Sequence, residues 1–199
     1  MPLILEGLVT TLTPADTPHL APMGPTVEPG LARFVLRPYP TSQTYQHLRQ
    51  RGAGVLHVTD DALLLARAAI GPVVPFPPTR PAQAIAGVIL ADACRAAEFV
   101  VESIDESAER VALQCRTLAL HELRPFFGFN RAKHAIVEAA ILATRLAWLG
   151  RESVEAELAR LAVPIRKTGG PDELTALEVL TDYVRSYYSP PLPNLADQS

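Results

Sequence analysis

The stretch Arg37-Pro38-Tyr39-Pro40-Thr41-Ser42-Gln43-Thr44-Tyr45 joins the end of an apolar run to a cluster of hydroxyls. Leu31 to Leu36 before it reads as a strand. Thr41 or Ser42 then caps a short helix running to about Arg51, with Gly52 as its C-terminal stop. The free N–H groups of a helix N-terminus attract anions, and hydroxyls with a guanidinium complete a phosphate cradle. The stretch is not a P-loop, because it lacks the glycines and the lysine. An ordinary N-cap beside a surface arginine is the plainer reading, but capping accounts for one hydroxyl only.

Working outward toward the N-terminus, Leu3 to Leu12 reads as a strand, Thr13 to Asp16 as a turn and His19 to Met23 as a second strand. Pro25 to Gly30 is a loop. The segment His19-Leu20-Ala21-Pro22-Met23-Gly24-Pro25 has two readings. Its small side chains and missing N–H donor suit a flat ring lying against backbone, or simply a kinked edge strand.

Toward the C-terminus, Gly54 to Thr59 is a buried strand. Asp60 or Asp61 caps a helix over Ala62 to Ile70, stopped by Gly71-Pro72. Pro72 to Pro81 holds five prolines and reads as an irregular loop. Strands follow at Ala84 to Leu90, Arg95 to Ile104 and Arg110 to Leu120, the last two joined by a hairpin turn at Asp105 to Ala108. After Pro125 the pattern becomes helical: Arg131 to Leu149 with Asn130 as N-cap, Val154 to Leu161, and a third helix from Pro171 to about Tyr187. Phe126-Phe127-Gly128-Phe129 is a hydrophobic joint or a wall of a ligand pocket.

This order gives an α+β chain, an antiparallel barrel with short helices followed by a helical extension. The expected division is residues 1–125, 126–188 and a flexible Pro-rich tail, 189–199. The 199 residues carry 19 prolines and 11 glycines, which argues against a helical bundle throughout. A formal net charge of −3 argues against a general nucleic-acid binder. Cys94 and Cys115 have no metal or redox spacing and read as reduced, partly buried packing residues. No metal motif, signal peptide or membrane-length apolar run is visible, so a cytoplasmic location is expected.

On the long helix, Arg131, His134, Glu138 and Arg145 fall within about 60° of one another at helical spacing. They form a solvated stripe or an anionic-ligand or subunit contact. Lys133 falls on the opposite face, as a solvent-facing lysine. His57, alone in a strand, reads as structural. No nucleophile–base or carboxylate-pair spacing stands out.

Three runs together carry a resemblance: Glu6-Gly7-Leu8-Val9-Thr10-Thr11, Pro18-His19-Leu20-Ala21-Pro22-Met23-Gly24, and Arg37 to Tyr45. The chain resembles the FMN-binding split-barrel superfamily. Within it, the chain resembles an uncharacterised prokaryotic family of unknown function related to the flavin reductases. Gly54 to Asp61 and Phe127 to His134 match that family's signatures. The resemblance implies a split-barrel homodimer holding FMN near the subunit interface. It places Arg37, Thr41, Ser42 and Thr44 at the phosphate and Ala21, Pro22 and Met23 at the isoalloxazine, with Tyr39 also among the cofactor-binding residues. Asn130, Arg131, Lys133 and His134 carry the family signature, and His47 stands where relatives often have asparagine. Association with tetrahydromethanopterin-linked one-carbon metabolism suggests a pterin or one-carbon redox partner. The expected function is an FMN-dependent oxidoreductase passing hydride between FMN and a small partner such as a pyridine nucleotide or pterin. A non-catalytic flavin carrier, or a barrel holding a deazaflavin or haem, are the other expectations.

Overall fold

The computed structural model describes residues 3–189. Its strands are β1 (Leu3–Ile4), β2 (Gly7–Leu12), β3 (Pro18–Met23), β4 (Thr26–Val27), β5 (Arg33–Leu36), β6 (Ala53–Val58), β7 (Thr79–Pro81), β8 (Val88–Leu90), β9 (Arg95–Asp105) and β10 (Ala112–Glu122). Its helices are α1 (Gln43–Arg51), α2 (Ala62–Ile70), α3 (Arg131–Ala143), α4 (Arg151–Thr168) and α5 (Pro171–Tyr188). Eight strands form one sheet in the order β1-β4-β5-β10-β9-β6-β2-β3, every pair antiparallel, while β7 and β8 pair separately.

The sheet curls into a half-barrel. Two register shifts in β10, at Gln114/Cys115 and Thr117/Ala119, add local twist where the curl is needed. Val9, Phe34, Leu36, Leu56, Phe99 and Leu113, drawn from strands across the sheet, therefore meet in one core. Helix α1 plugs that core with Tyr45 and Leu48. Gly54 lets the neighbouring strands close on β6: a Cβ there would lie 2.9 Å from the Phe99 ring and 3.0 Å from the Thr10 carbonyl. Buried His57 ties β8 to the sheet. Its Nε2 accepts the Leu90 N–H at 3.0 Å, so its Nδ1 carries the proton and faces the Leu8 carbonyl at 3.3 Å. Burial pushes this imidazole down to about 4, so it stays neutral.

The helices form a second layer. Ala132, Ile136, Ala139, Leu158, Ile165, Leu177 and Leu180 share one core with Ala62 and Ala66 of α2. Helix α2, embedded in the barrel's stretch of sequence, thus packs as part of the helical layer.

Several elements differ from the sequence expectation. Leu3 to Leu12 is broken at Leu5, whose N–H turns to the Pro25 carbonyl. The expected loop after Pro25 contains β4, and Leu31 ends a 3-10 turn rather than starting a strand. Only Val88–Leu90 of the expected Ala84 to Leu90 strand is extended. Helix α3 stops at Ala143, where Thr144 folds its hydroxyl onto the Ile141 carbonyl, so Arg145 lies beyond it. Helix α4 runs past Leu161 and through Pro164, because its buried stripe continues to Ile165 and proline forfeits one hydrogen bond only. Ser189 is described; the rest of the expected tail lies outside the described residues.

Glu98 on β9 is fully buried. Its carboxylate accepts from the backbone N–H groups of Gln83, Ala84 and Ile85 at 2.6–3.1 Å and pairs with His121 at 2.7 Å. Burial pushes the carboxyl up, but these donors outweigh it and hold it below the ordinary Glu value. Glu98→Gln places an amide among N–H donors and should cost about 2–3 kcal/mol in urea denaturation. Limited proteolysis should then cut first in the 72–87 segment; unchanged stability and cleavage would show that the carboxylate does not hold that loop.

Candidate functional site

Helix α1 begins where the chain leaves β5. Ser42 is its N-cap: the hydroxyl accepts from the Tyr45 N–H at 3.2 Å and donates to the Tyr39 carbonyl at 2.8 Å. The Gln46 N–H reaches the Ser42 carbonyl. The N–H groups of Gln43 and Thr44 make no hydrogen bond among the described residues, as the first turn of a helix dictates. Thr41 is exposed, and Thr44 is buried.

The β2–β3 hairpin lies against this turn. Arg51, at the far end of α1, fastens it by donating to the carbonyls of Thr13 and Pro14 and to Asp16. Hairpin register sets Thr11 opposite His19. His19 Nε2 lies 3.4 Å from Thr44 Oγ1, and His47 Nδ1 lies 3.0 Å from Thr11 Oγ1. The two imidazoles meet edge to face, with centroids 5.1 Å apart. Burial, then the neighbouring His47, holds His19 below its ordinary value; burial, then Arg51, does the same for His47.

Ala21, Pro22 and Met23 follow His19 on β3, all half-buried. Ala21 is two residues, roughly 7 Å, farther along the strand. β3 is a sheet edge paired only with β2, and an edge tolerates the missing donors of Pro18 and Pro22. Past Met23, the Glu6 carboxylate lies against Gly24, within 3.5 Å of where a Cβ would sit. Burial, then Glu138 of α3, raises the Glu6 carboxyl above its ordinary value.

The structure therefore sets Thr44, one turn into the helix that Ser42 caps, against His19 on the strand that carries Ala21 to Met23. Arg37 is exposed and makes no hydrogen bond among the described residues; its charge is felt by Asp105. Tyr39 carries the Arg110 guanidinium 4.4 Å above its ring, and the Tyr45 hydroxyl reaches Glu106 of the β9–β10 turn.

Asn130, Arg131, Lys133 and His134 form a separate group at the junction of sheet and helices. Asn130 caps α3, accepting from the N–H groups of Ala132 and Lys133 and donating to the Thr168 carbonyl. Lys133 is not the solvent-facing lysine expected: its ammonium donates to the Asp60 carbonyl at 2.7 Å and pairs with Glu173 at 2.9 Å. His134 stacks on Phe129 at 5.9 Å and makes no hydrogen bond or ion pair with Glu138. Arg131 is exposed. No hydrogen bond or ion pair among the described residues joins this group to Ser42, Thr44 or β3.

Asp61 caps α2, accepting from the Leu64 N–H, whereas Asp60 has a different task. Its carboxylate takes Arg124 through both terminal nitrogens and the Phe127 N–H at 2.7 Å. Arg124, against the opposing cost of burial, holds the Asp60 carboxyl down at about 2. The loop so fixed exposes Phe127 and Phe129, at 74% and 93%.

Two cavities lie elsewhere. One of about 530 Å³ borders β4, β5 and β10, and one of about 260 Å³ lies under the Pro-rich loop; neither is lined by Ser42, Thr44 or β3 residues. Sequence reading gave Glu6, Thr11, His19 and His47 no individual role. The His19-Leu20-Ala21-Pro22-Met23-Gly24 run and the helix-start hydroxyls were the available signals. No helix among the described residues is long and apolar enough to cross a membrane, and no group of His, Cys, Asp and Glu among them could hold a metal ion. Both cysteines are free and buried.

Comparison with solved structures gives the same architecture. An FMN-bound protein of Methanosarcina mazei, from a family of unknown function known as DUF447, aligns with a TM-score of 0.79 at 19% identity, over 92% of this chain and 96% of that one. An FMN-binding protein of Thermus thermophilus, with cyclohexenone bound, has a TM-score of 0.52 at 14% identity over 61% and 71%. The flavin reductase of the styrene monooxygenase of Pseudomonas putida scores 0.52 at 14% over 61% and 82%. At these identities the likeness establishes the flavin reductase-like split-barrel fold. No curated protein matches the chain. The family model for the N-terminal domain of DUF447 proteins of unknown function matches residues 5–124, and the companion model for DUF447 matches 130–182, so the chain belongs to the DUF447 family.

Proposed function

We propose that this protein binds FMN and passes hydride between it and a small redox partner, a pyridine nucleotide or a pterin. The observation that carries the reading is the meeting of two unlike half-sites. The hydroxyl-lined start of α1, with free N–H groups, touches edge strand β3 at Thr44 and His19. The Methanosarcina mazei relative, alike over nearly its whole length, is FMN-bound.

The donor set fits a phosphate. The Gln43 and Thr44 N–H groups, with the Thr41 and Thr44 hydroxyls, would hold it, joined by the Ser42 hydroxyl once it turns from the Tyr39 carbonyl. Arg37, with no competing hydrogen bond, would swing onto it, and Tyr39 would flank it. Ala21, Pro22 and Met23 would border the ring. FMN when bound supplies the hydride chemistry itself, so the chain's task is to bind, orient and exclude water.

A ring on β3 of one chain would have a bare outer face, since β3 is the edge of the sheet and neither of the two cavities described above includes it. A second copy supplies that cover in this reading. Arg131 and the exposed Phe127 and Phe129 are the groups offered to it, with Asn130 and Lys133 holding them in place.

Titration of FMN fluorescence against the protein should show saturable quenching; a protein that leaves FMN fluorescence unchanged would end this reading. Arg37→Ala with Thr44→Ala should weaken FMN by about 3 kcal/mol, roughly a hundredfold, and riboflavin far less. Stopped-flow mixing of the FMN-loaded protein with NADH, NADPH or a reduced pterin should bleach the flavin. No reduction by any donor would favour a flavin carrier, and the mass of the extracted ligand would reveal a deazaflavin or haem instead. Light scattering should give twice the 21.5 kDa chain mass, and a monomer would remove the second copy from the site.

A further inference from the structure

We infer that His19, backed by His47, is a ligand of the phosphate at the start of α1 and takes up one proton from solvent when that phosphate arrives. The inference rests on the FMN reading and adds a residue and a proton to it.

His19 stands between the two half-sites, on the ring-bordering strand and against the first turn of α1. Its 3.4 Å contact with Thr44 is long for a hydrogen bond, so turning the ring toward an anion gives up little. Among the described residues, no acid acts on it; the one charge felt there is that of His47. From α1 it faces Thr44 and His47, with Arg51 beyond. β2 presents Thr11, opposite it in the hairpin. From α2, Leu65 and Ala68 pack on the neighbouring Leu20. The acid of the β2–β3 turn, Asp16, is paired with Arg51, and α1 has no acid in its first turn.

An imidazole in such surroundings is neutral at pH 7. A phosphate dianion beside it reverses the balance, because an opposite charge within hydrogen-bond reach favours imidazolium. The proton comes from solvent and stays on His19 while the phosphate is held. Between the empty and the loaded pKa of His19, affinity for the phosphate must fall as pH rises, by up to about tenfold per unit. His47 keeps the His19 ring in place by its edge-to-face contact and is itself tied to Thr11.

Calorimetric titration with FMN at pH 7.5, in phosphate-free buffers of different ionisation heat, counts the protons. At that pH the free phosphate is already a dianion, its second pKa being about 6. The native chain should take up a large fraction of one proton per FMN and none per riboflavin. His19→Gln should abolish the uptake, flatten the pH dependence above pH 7 and leave riboflavin affinity unchanged. His47→Gln should retain uptake. FMN binding without proton uptake, or uptake that survives His19→Gln, would overturn the role of His19 and leave the FMN reading intact. No FMN binding by the native chain would sink both.

Discussion

The Asp60 carboxylate is the group through which sheet and helices hold each other. It sits just past β6, buried, and accepts the Arg124 guanidinium from the end of β10 and the Phe127 N–H from the loop toward α3. Its own carbonyl takes the Lys133 ammonium of α3, which pairs in turn with Glu173 of α5. Glu173 then returns to the Gly170 N–H that opens α5. Each of these groups would be costly to bury alone, and each is answered by the next. The series spans β6, β10, α3 and α5, elements that are neighbours only after the whole chain has folded. It also explains how a loop carrying three phenylalanines can stay ordered while exposing them: the backbone is gripped from below.

The same group shows where sequence stops being informative. Asp60 and Asp61 are identical and adjacent. One caps a helix through a residue three positions on, and that is readable, as are the Ser42 and Asn130 caps and the Gly52 stop. The other binds an arginine 64 positions away, and no local pattern distinguishes it. Lys133 fails for the same reason, since its place on the outer side of a helical wheel says nothing of the α5 carboxylate that will stand there. The longer strands and helices announce themselves by periodicity. Their ends do not, where a single backbone bond such as Leu5 to Pro25 breaks a run that is apolar throughout. The arginine–hydroxyl stretch was legible as a helix start because helix starts advertise their needs in consecutive residues. The histidine pair was not, because it requires the β2–β3 register and the docking of α1 together.

The barrel's construction explains why a ligand site would form at β3 rather than within the core. The half-barrel is filled by its own side chains, with α1 as the plug. What remains unsatisfied lies at the rim: first-turn donors of α1 and the outer edge of β3. An open sheet edge ordinarily invites another strand. Pro18 and Pro22 remove two of the donors such pairing would need, so β3 makes a poor template for strand addition. It keeps its carbonyls, and its small side chains leave them accessible. A planar heteroaromatic ring with N–H and C=O groups on its rim asks for this surface, a few isolated main-chain partners on a flat strip. A phosphate on the same molecule asks for the helix start beside it. The prolines that make β3 unfit for another strand therefore favour such a ligand at the one edge that α1 overlooks.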